Sequence, residues 1–313
     1  MIEVFYYDGK VKKGSLSDFN MLKDKSFWID LTDITDEEKE FVQKAFNLHQ
    51  LTTEDLFNQN TRIKVEEFSD YLFCVFYGIR KEKSFEMVEI DFILGKNFLV
   101  TCHKNPFNSC DKLKNDEERL CTLFKKGNDF IFHKIIDEEI DNYFPVLEKI
   151  DDLVEDIEEE ATLRPNSKLL GRILNLKRQI VLIKKTTLPQ REKLSFLSKT
   201  DFKFVSKKSL PYFRDVYDNS IKVSDSIDNY REAVGNAFEA YMSSVSNNMS
   251  EVMKVLSIMA TIALPLTVIS GIYGTNFLVL PGSDDPYGFW LMLLGMLILI
   301  SLMLFYFKKR KWF

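Results

Sequence analysis

The sequence predicts an α/β domain at the amino-terminal end, followed by long helices of which the last two segments cross a membrane. Residues 1 to about 125 alternate short runs rich in aromatic and β-branched side chains with helical patterns. From about residue 128 onward, apolar side chains recur at steps of three and four, which is typical of amphipathic helices. Two uncharged runs of 19 residues, Val255–Tyr273 and Phe289–Phe307, are each long enough to span the hydrocarbon of a bilayer as a helix.

Residues 1–127 are predicted to form a cytosolic domain built on a mixed sheet. The turn residues in Gly95-Lys96-Asn97 favour a hairpin between the last two strands. Thr53, which is followed by two acidic residues, is a predicted helix start. The predicted strands are Ile2–Tyr7, Phe27–Leu31, Tyr71–Gly78, Met87–Leu94 and Phe98–His103, and the predicted helices are Asp36–Phe46 and Thr52–Phe57.

Residues 128–200 are predicted to form an antiparallel helical hairpin. Two apolar stripes, from Ile140 to Ile157 and from Leu169 to Ile183, flank the breaker at Pro165. Acidic residues crowd the first arm, and basic residues crowd the second. Two interpretations stay open: a solvated face with weak cross-arm ion pairs, or a patch that attracts or senses cations.

One continuous helix is predicted from about Tyr212 to Tyr273, because no helix breaker lies between Pro211 and Pro265. Residues 205–254, which include the part of this helix before the first span, are predicted to form a stalk. An apolar stripe follows the stalk from Val216 to Val252. Packing several stalks around an axis would bury this stripe, as in a coiled coil, so we expect an oligomer.

Charged residues beside the two spans predict their orientation. The loop 274–288 contains acidic residues and no Lys or Arg, whereas the tail 308–313 is basic. Basic flanks stay cytosolic, so both termini should lie in the cytosol, beneath the cell (inner) membrane, with the loop outside. The flanking basic residues either anchor the spans at the interface or form a collar at the inner mouth of a pore; they are Lys254, Lys308, Lys309, Arg310 and Lys311.

The first span carries small and hydroxyl side chains along one side, a feature that a plain anchor does not need. This polar stripe consists of Ser250, Met253, Ser257, Ala260, Leu264, Thr267 and Gly271, which share one helix face. Such a stripe serves either close helix packing or a water-filled pore. Two helices cannot enclose a pore, so the second interpretation requires several copies of the chain.

The segment Tyr273-Gly274-Thr275-Asn276-Phe277, set between two C-terminal spans and followed by a basic tail, resembles the CorA family of magnesium transporters. That family has Met where Thr275 stands. The stretches 212–218, 241–247 and 252–256 resemble the family as well, as do Trp28-Ile29-Asp30-Leu31 and residues 49–55 more loosely.

The resemblance implies a funnel-shaped homopentamer that conducts Mg²⁺, with Co²⁺ or Ni²⁺ as possible passengers, down its gradient into the cytosol. It also implies that the chain is not an enzyme and needs no organic cofactor. Two alternatives stand beside it. One is a zinc transporter of the related ZntB branch, which also departs from Met in the motif. The other is a membrane-anchored scaffold or sensor that conducts nothing.

The resemblance also assigns roles to residues. The selectivity loop is Gly274, Thr275 and Asn276, although Asn276 could instead cap the span. Pore-lining positions carried over are Ser250, Met253, Leu256, Ser257, Ala260, Leu264 and Thr267, to which the polar stripe adds Gly271. Met253 and Leu256 correspond to a hydrophobic constriction.

The same resemblance implies a regulatory Mg²⁺ site on the stalk at Asp215. Its partner in a neighbouring subunit is open, with Glu82 and Glu86 as weak candidates. Asp284 and Asp285 form either an outer acidic rim that concentrates cations or an ordinary solvated loop.

Net charge and the cysteine pattern argue against several other classes of partner and site. A formal net charge of −5 and a pI of about 5.5 argue against a nucleic-acid partner. The expected partners are membrane lipid, because of the two spans, and copies of the chain itself, because of the polar stripe and the stalk. The four cysteines lie in the predicted cytosolic part without a Cys-x-x-Cys pair, which favours reduced structural thiols. A zinc site at Cys102, His103 and Cys110 fits no established ligand spacing.

Overall fold

A computed structural model describes residues 1–15, 19–22, 24–58, 61–81, 85–105, 107–163, 166–277, 280–282, 285–310 and 312. The chain divides into two compact units. The first comprises Met1–Glu160 and Asn166–Phe238, and the second comprises Ala161–Pro165 and Glu239–Phe313.

A seven-stranded mixed sheet forms the centre of the first unit. The strands lie in the order β2-β1-β3-β7-β6-β5-β4, and every neighbouring pair is antiparallel except β3 and β7. Their bounds are β1 Ile2–Tyr7, β2 Val11–Gly14, β3 Phe27–Thr32, β4 Lys64–Glu67, β5 Tyr71–Lys81, β6 Phe85–Gly95 and β7 Phe98–His103. The predicted mixed sheet is confirmed.

Helices pack on both faces of this sheet. Alternate side chains of each strand point to opposite faces, so each face forms a core of its own. On one face, Ile29 and Leu31 of β3 share a core with Val42 and Leu56. On the other face, the ring of Phe92 packs edge-on against Phe132, with centroids 4.9 Å apart. The first face carries α1 Phe19–Leu22, α2 Asp36–Ala45 and α3 Gln50–Phe57; the second carries α4 Asn108–Asn115, α5 Glu117–Lys126 and α6 Asn128–Asp141.

Several boundaries differ from the sequence-based expectation. The strands β2 and β4 went unpredicted because both are short and polar, as suits strands at the two edges of a sheet. Helix α3 begins at Gln50 and not at Thr53, since the His49 ring accepts a hydrogen bond from the Leu51 amide and caps the helix. Helix α6 packs on β5, β6 and β7, so the layer on the sheet continues past residue 127.

The predicted hairpin consists of α7 Phe144–Leu163 and α8 Ser167–Lys199. Its predicted apolar residues are buried, among them Ile150 and Ile157 on α7 and Ile173 and Ile180 on α8. Arg172 crosses between the arms to the carboxylates of Glu160, at 2.5 Å, and Asp156, at 3.9 Å. These groups are largely solvated, which fits the interpretation of weak cross-arm ion pairs.

Helix α9 runs from Leu210 to Tyr273 without interruption, as predicted. Part of its apolar stripe is buried within a single chain: Val216, Val223, Ile227 and Val234 are all inaccessible to solvent. Helix α8 contacts this part of α9, where Lys184 pairs with Asp228. The expectation that other subunits bury this stripe is therefore wrong for residues 216 to 237. That part of the helix gives no argument for an oligomer.

The second unit contains the end of α9 and the helix α10, Gly288–Lys309. Both helices are long and apolar enough to cross a membrane. Large apolar side chains such as Met259 and Leu297 are exposed along them, as lipid-facing residues would be in a structure that contains no bilayer.

Candidate functional site

The two sides of α9 differ sharply within the second unit. Ile258 is 5% exposed, and Ile262, Leu266 and Ile269 are partly covered. All seven residues of the polar stripe are exposed, Leu264 by 64%. At about 100° per residue, the centre of the polar stripe lies roughly 165° around the helix from the covered side.

Helix α10 packs on the covered side of α9. Ile269 and Tyr273 line a cavity together with Gly288, Leu291 and Met292 of α10. The polar stripe therefore serves no helix packing inside the chain as described, which removes the simplest form of the packing interpretation. It is a free surface of hydroxyl, small and apolar groups on a membrane-crossing helix.

The hydroxyl groups of this surface are oriented by the helix backbone. Ser250 Oγ donates to the Ser246 carbonyl, and Thr267 Oγ1 donates to the Ala263 carbonyl, each at 2.9 Å. Each hydroxyl proton is thus engaged four residues back along the helix. The lone pairs of these oxygens remain available as acceptors, which is what a cation or its hydration shell needs.

The motif that follows α9 is a tight helix end. The Gly274 amide donates to the Ser270 carbonyl at 2.8 Å, and Thr275 Oγ1 donates to the Ile272 carbonyl at 2.7 Å. The φ of Gly274 is not positive, so a left-handed conformation is not what favours glycine there. A glycine fits for another reason: a Cβ here would lie 3.1 Å from the Ser270 carbonyl oxygen. Asn276, next in the chain, is exposed.

The loop before α10 is built on close backbone approaches. Asp285 Oδ1 accepts a hydrogen bond from the Tyr287 amide at 2.9 Å and so helps to start α10. A Cβ at Gly288 would lie 2.0 Å from the Gly282 carbonyl oxygen, so only glycine fits there without a shift. Of the two acids of the predicted rim, Asp285 thus has a structural contact, and Asp284 lies outside the described residues.

At the other end of the spans the side chains are apolar and then basic. Met253 and Leu256 are both more than half exposed on α9. Lys308, Lys309 and Arg310 are exposed at the end of α10. Lys254 shares a helix side with Ile258, away from the polar stripe. Lys311 lies outside the described residues.

Asp215 lies in the first unit, on an exposed part of α9. Its carboxylate is near Asp141 of α6, which in turn is near Asp137: partial burial raises the pKa of the Asp141 carboxyl, and Asp137 and Asp215 raise it further. Lys134 partly balances this charge by pairing with Asp137 at 2.7 Å. The predicted stalk carboxylate therefore has acidic neighbours in its own chain, which sequence spacing did not indicate.

The proposed partners of Asp215 lie elsewhere or outside the described residues. Glu86 is exposed at the wall of a cavity that also contains Glu89 and Asp91. Glu82 lies outside the described residues.

The zinc hypothesis at Cys102, His103 and Cys110 needs correction. His103 Nε2 lies 3.0 Å from Asp30 Oδ1, and the ligand atoms of Asp30, His103 and Cys110 lie within 4.8 Å of one another. Cys102 is not part of this group, because its thiol lies near the Leu56 carbonyl on the other face of the sheet. Nor is the carboxylate free for a metal, since Lys114 Nζ lies 2.5 Å from Asp30 Oδ2. The group is a buried ion-pair network that ties α4 to the sheet.

The fold and the site together define a class: a two-span membrane protein whose first span exposes hydroxyl and small side chains, and whose remaining chain forms a mixed-sheet domain with long helices. The chain belongs to the family of CorA-like Mg²⁺ transporter proteins, whose model matches residues 23–309. It is accordingly a membrane transporter of divalent cations.

Individual relatives agree with this assignment. The chain is 38% identical over 295 residues to the cobalt/magnesium transport protein CorA of Thermotoga maritima. This alignment covers 91% of this chain and 83% of that protein. The complete structure of the CorA magnesium transporter from Methanocaldococcus jannaschii matches with a TM-score of 0.88 at 22% identity, over 100% of this chain and 99% of that one. The predicted family and fold are confirmed.

A more distant relative bears on the choice of ion. The zinc transport protein ZntB of Yersinia enterocolitica is 20% identical over 312 residues, which covers 98% of this chain and 94% of that protein. The identity is about half of that to the cobalt/magnesium transport protein.

Proposed function

We propose that this chain is one subunit of a homopentameric pore that carries Mg²⁺ into the cytosol, with Co²⁺ and Ni²⁺ as possible passengers. The observation that supports it best is the exposed polar stripe on the side of α9 that α10 leaves uncovered. Polar groups do not face lipid without cost. Several copies arranged around an axis would turn the stripes toward one another and enclose water; the number five rests on the resemblance.

The expected direction of flux follows from charge. A potential of 100 mV, negative inside, favours inward movement of a divalent ion by about 4.6 kcal/mol, at about 2.3 kcal/mol per charge. The basic residues Lys308, Lys309 and Arg310 put the end of α10 on the cytosolic side. Both termini then lie in the cytosol of a cell (inner) membrane, and Asn276 faces the outside.

Selection of Mg²⁺ would begin at Asn276. Mg²⁺ holds its water tightly and prefers oxygen ligands. A ring of Asn276 amide oxygens, with the hydroxyl acceptors of Thr267 and Ser257 further in, can bind the hydrated ion without holding it as firmly as carboxylates would. Met253 and Leu256 form the gate, which closes by excluding water from a narrow apolar ring.

Opening of the pore is regulated by Asp215 and the carboxylates near it. Carboxylates that face each other repel until a divalent ion bridges them, so cytosolic Mg²⁺ bound there would favour the closed pore and its loss would loosen the helices. Asp137 and Asp141 of the same chain belong to this surface, whatever a neighbouring subunit adds.

Zinc transport is the second candidate, because of the ZntB relative. Zn²⁺ is bound mainly by sulfur, nitrogen and carboxylate ligands. The polar stripe offers hydroxyl oxygens and one thioether, at Met253. That ligand set favours Mg²⁺, and the flux assay is run with both ions.

The test is flux into liposomes that contain the purified protein and a Mg²⁺-sensitive dye. Asn276→Ala should abolish Mg²⁺ influx while the size of the assembled protein stays unchanged. The matched pair Ser257→Ala and Ser301→Ala removes one hydroxyl from the polar stripe or from α10, where Ser301 Oγ donates to the Leu297 carbonyl at 2.8 Å. Only the first should reduce flux.

A wild-type protein that passes neither Mg²⁺ nor Zn²⁺ would leave a membrane-anchored scaffold or sensor as the better interpretation. Flux of Zn²⁺ without Mg²⁺ would support the second candidate.

A further inference from the structure

A second group of carboxylates lies inside the first unit, away from Asp215. A cavity of about 290 Å³ beside β6 is lined by Asp33, Tyr77, Glu86, Glu89 and Asp91, among other residues. Four of these five side chains are acidic, and the basic side chains of the lining are Lys39, His103 and Lys104. The acids outnumber the two lysines, so the cavity carries excess negative charge within a folded domain, where water screens it less than at the surface.

Glu89 is held in a fixed position at this cavity. Its Oε2 atom accepts hydrogen bonds from Tyr77 Oη at 2.7 Å and from the Thr61 amide at 2.9 Å. Its other oxygen, Oε1, is buried and has no hydrogen-bond partner among the described residues. Glu89 thus lines the cavity with one oxygen fixed by hydrogen bonds and the other buried without a described partner.

Asp91 is two residues further along the same face of β6. Its side chain is almost completely buried, with the residue 4% exposed, and Oδ1 has no hydrogen-bond partner among the described residues. Burial raises the pKa of the Asp91 carboxyl, and the neighbouring Glu89 and Asp55 carboxylates raise it further, while Lys64 opposes them. A buried carboxyl oxygen without a partner is costly, so a bound ion or an ordered water is expected there.

We propose that this cavity binds a divalent cation, Mg²⁺ or Mn²⁺, through Glu89 Oε1 and Asp91 Oδ1. Both ions prefer oxygen ligands, and Mg²⁺ characteristically uses one or two carboxylates and keeps several of its waters. A volume of about 290 Å³ accommodates an ion together with such waters. The site lies within one chain and one unit, so it depends neither on conduction nor on assembly.

Counting bound ions on the full-length protein in detergent tests this proposal. Equilibrium dialysis against Mn²⁺, followed by metal analysis, gives the number of ions per chain, and other sites cancel when variants are compared. Asp91→Asn and Glu89→Gln keep the side-chain shape but remove the charge, and each should bind one Mn²⁺ fewer per chain. Asp33→Asn removes an exposed charge from the same wall and should keep the wild-type number.

Thermal unfolding gives an independent measurement. Mg²⁺ should raise the midpoint of the wild type and of Asp33→Asn by more than that of Asp91→Asn or Glu89→Gln. The two substitutions act on different side chains, so the proposal can be judged on Glu89→Gln if Asp91→Asn does not fold. It is overturned if the folded variants bind as much Mn²⁺ as the wild type, or if Asp33→Asn loses the same ion.

Discussion

Replacing Lys114 by Met tests the buried ion-pair network that ties α4 to the sheet. Lys114 Nζ lies 2.5 Å from Asp30 Oδ2 and 2.8 Å from Glu3 Oε2. Burial opposes the charge of Lys114, but Asp30 and Glu3 outweigh it and raise the pKa of its ammonium group. Methionine has a similar length and no charge, so the substitution removes the charge and changes the packing little.

The expected loss of stability follows from the contacts that the Asp30 carboxylate keeps after the substitution. Asp30 is 1% exposed, and after the substitution the His103 ring, 3.0 Å away, is the one basic side chain that still contacts it among the described residues. Removing one partner of a buried pair typically costs about 3–5 kcal/mol, because the other charge stays buried. For a unit of this size, about 2–4 °C per kcal/mol gives a fall in the thermal midpoint of about 6–20 °C.

The fluorescence of Trp28 reports on this network directly. Trp28 is fully buried, and its indole N–H donates to Thr101 Oγ1 at 2.9 Å. Replacing Trp290 and Trp312 by Phe leaves Trp28 as the one tryptophan of the chain. The thermal transition of this protein in detergent then belongs to the first unit.

Lys112→Met is the matched control, since Lys112 is an exposed lysine of the same helix. It should change stability by no more than about 0.5 kcal/mol. Adding Asp30→Asn to Lys114→Met should recover part of the loss, because the uncompensated charge is removed. If Lys114→Met unfolds at the same temperature as Lys112→Met, the network contributes nothing and the reasoning is wrong.

Three further outcomes are expected. Burial tends to raise the pKa of the Asp30 carboxyl, but its cationic partners outweigh this and lower it, so its contribution to stability should be lost as the pH falls below about 4. Gly288→Ala should lower the yield of assembled protein, because its Cβ would lie 2.0 Å from the Gly282 carbonyl oxygen. Asp215→Asn should weaken the inhibition of Mg²⁺ influx by Mg²⁺ on the cytosolic side, measured in liposomes loaded with different Mg²⁺ concentrations.

Each of these has a control. The acid-induced fall in the thermal midpoint should be smaller in Asp30→Asn, and an identical pH profile would contradict the assignment. Gly295→Ala should assemble normally, because a Cβ at this position would have no described atom within 4 Å beyond its own helix backbone and chain neighbours. Equal yields of the two glycine variants would show that the loop adjusts. Unchanged Mg²⁺ inhibition in Asp215→Asn would place regulation elsewhere.

Much of the fold could be predicted from local patterns. Strands β3 and β7 are apolar runs bounded by polar turns, and both were recognised near their observed bounds. The short edge strands β2 and β4 could not be recognised, because VKKG and KVEE carry no apolar alternation. Their strand conformation comes from pairing with β1 and β5, which is a tertiary effect.

The polar stripe was predicted from spacing alone, because helix geometry fixes which residues share a face. Spacing does not show which element packs on a stripe. The stretch from Val216 to Ala237 has the same periodicity as a coiled-coil seam, yet its own chain buries it. Periodicity identifies a buried side but not the partner that buries it.

The buried charges were the part that sequence could not reveal. Nothing near Asp30 indicated that Lys114, 84 positions away, would pair with it. Asp91 is a charged residue between Ile90 and Phe92, in the buried half of a strand that also carries Glu86 and Glu89, and that position was the one available signal. Such groups depend on the register of distant strands and helices, which local patterns do not contain.

Cysteine accessibility tests most directly whether the polar stripe faces water. Cys74, Cys102 and Cys110 are buried, and burial raises the pKa of their thiols, so their reaction with a water-soluble thiol reagent should be slow. With the partly exposed Cys121 replaced by Ser, Thr267→Cys and Ile262→Cys place one thiol on the stripe or on the covered side of α9.

In liposomes, a charged thiol reagent should modify Thr267→Cys and block Mg²⁺ influx, while Ile262→Cys stays unmodified and conducts. If the reagent modifies Ile262→Cys and leaves Thr267→Cys unmodified, the polar stripe does not face water, and this result contradicts the proposed pore.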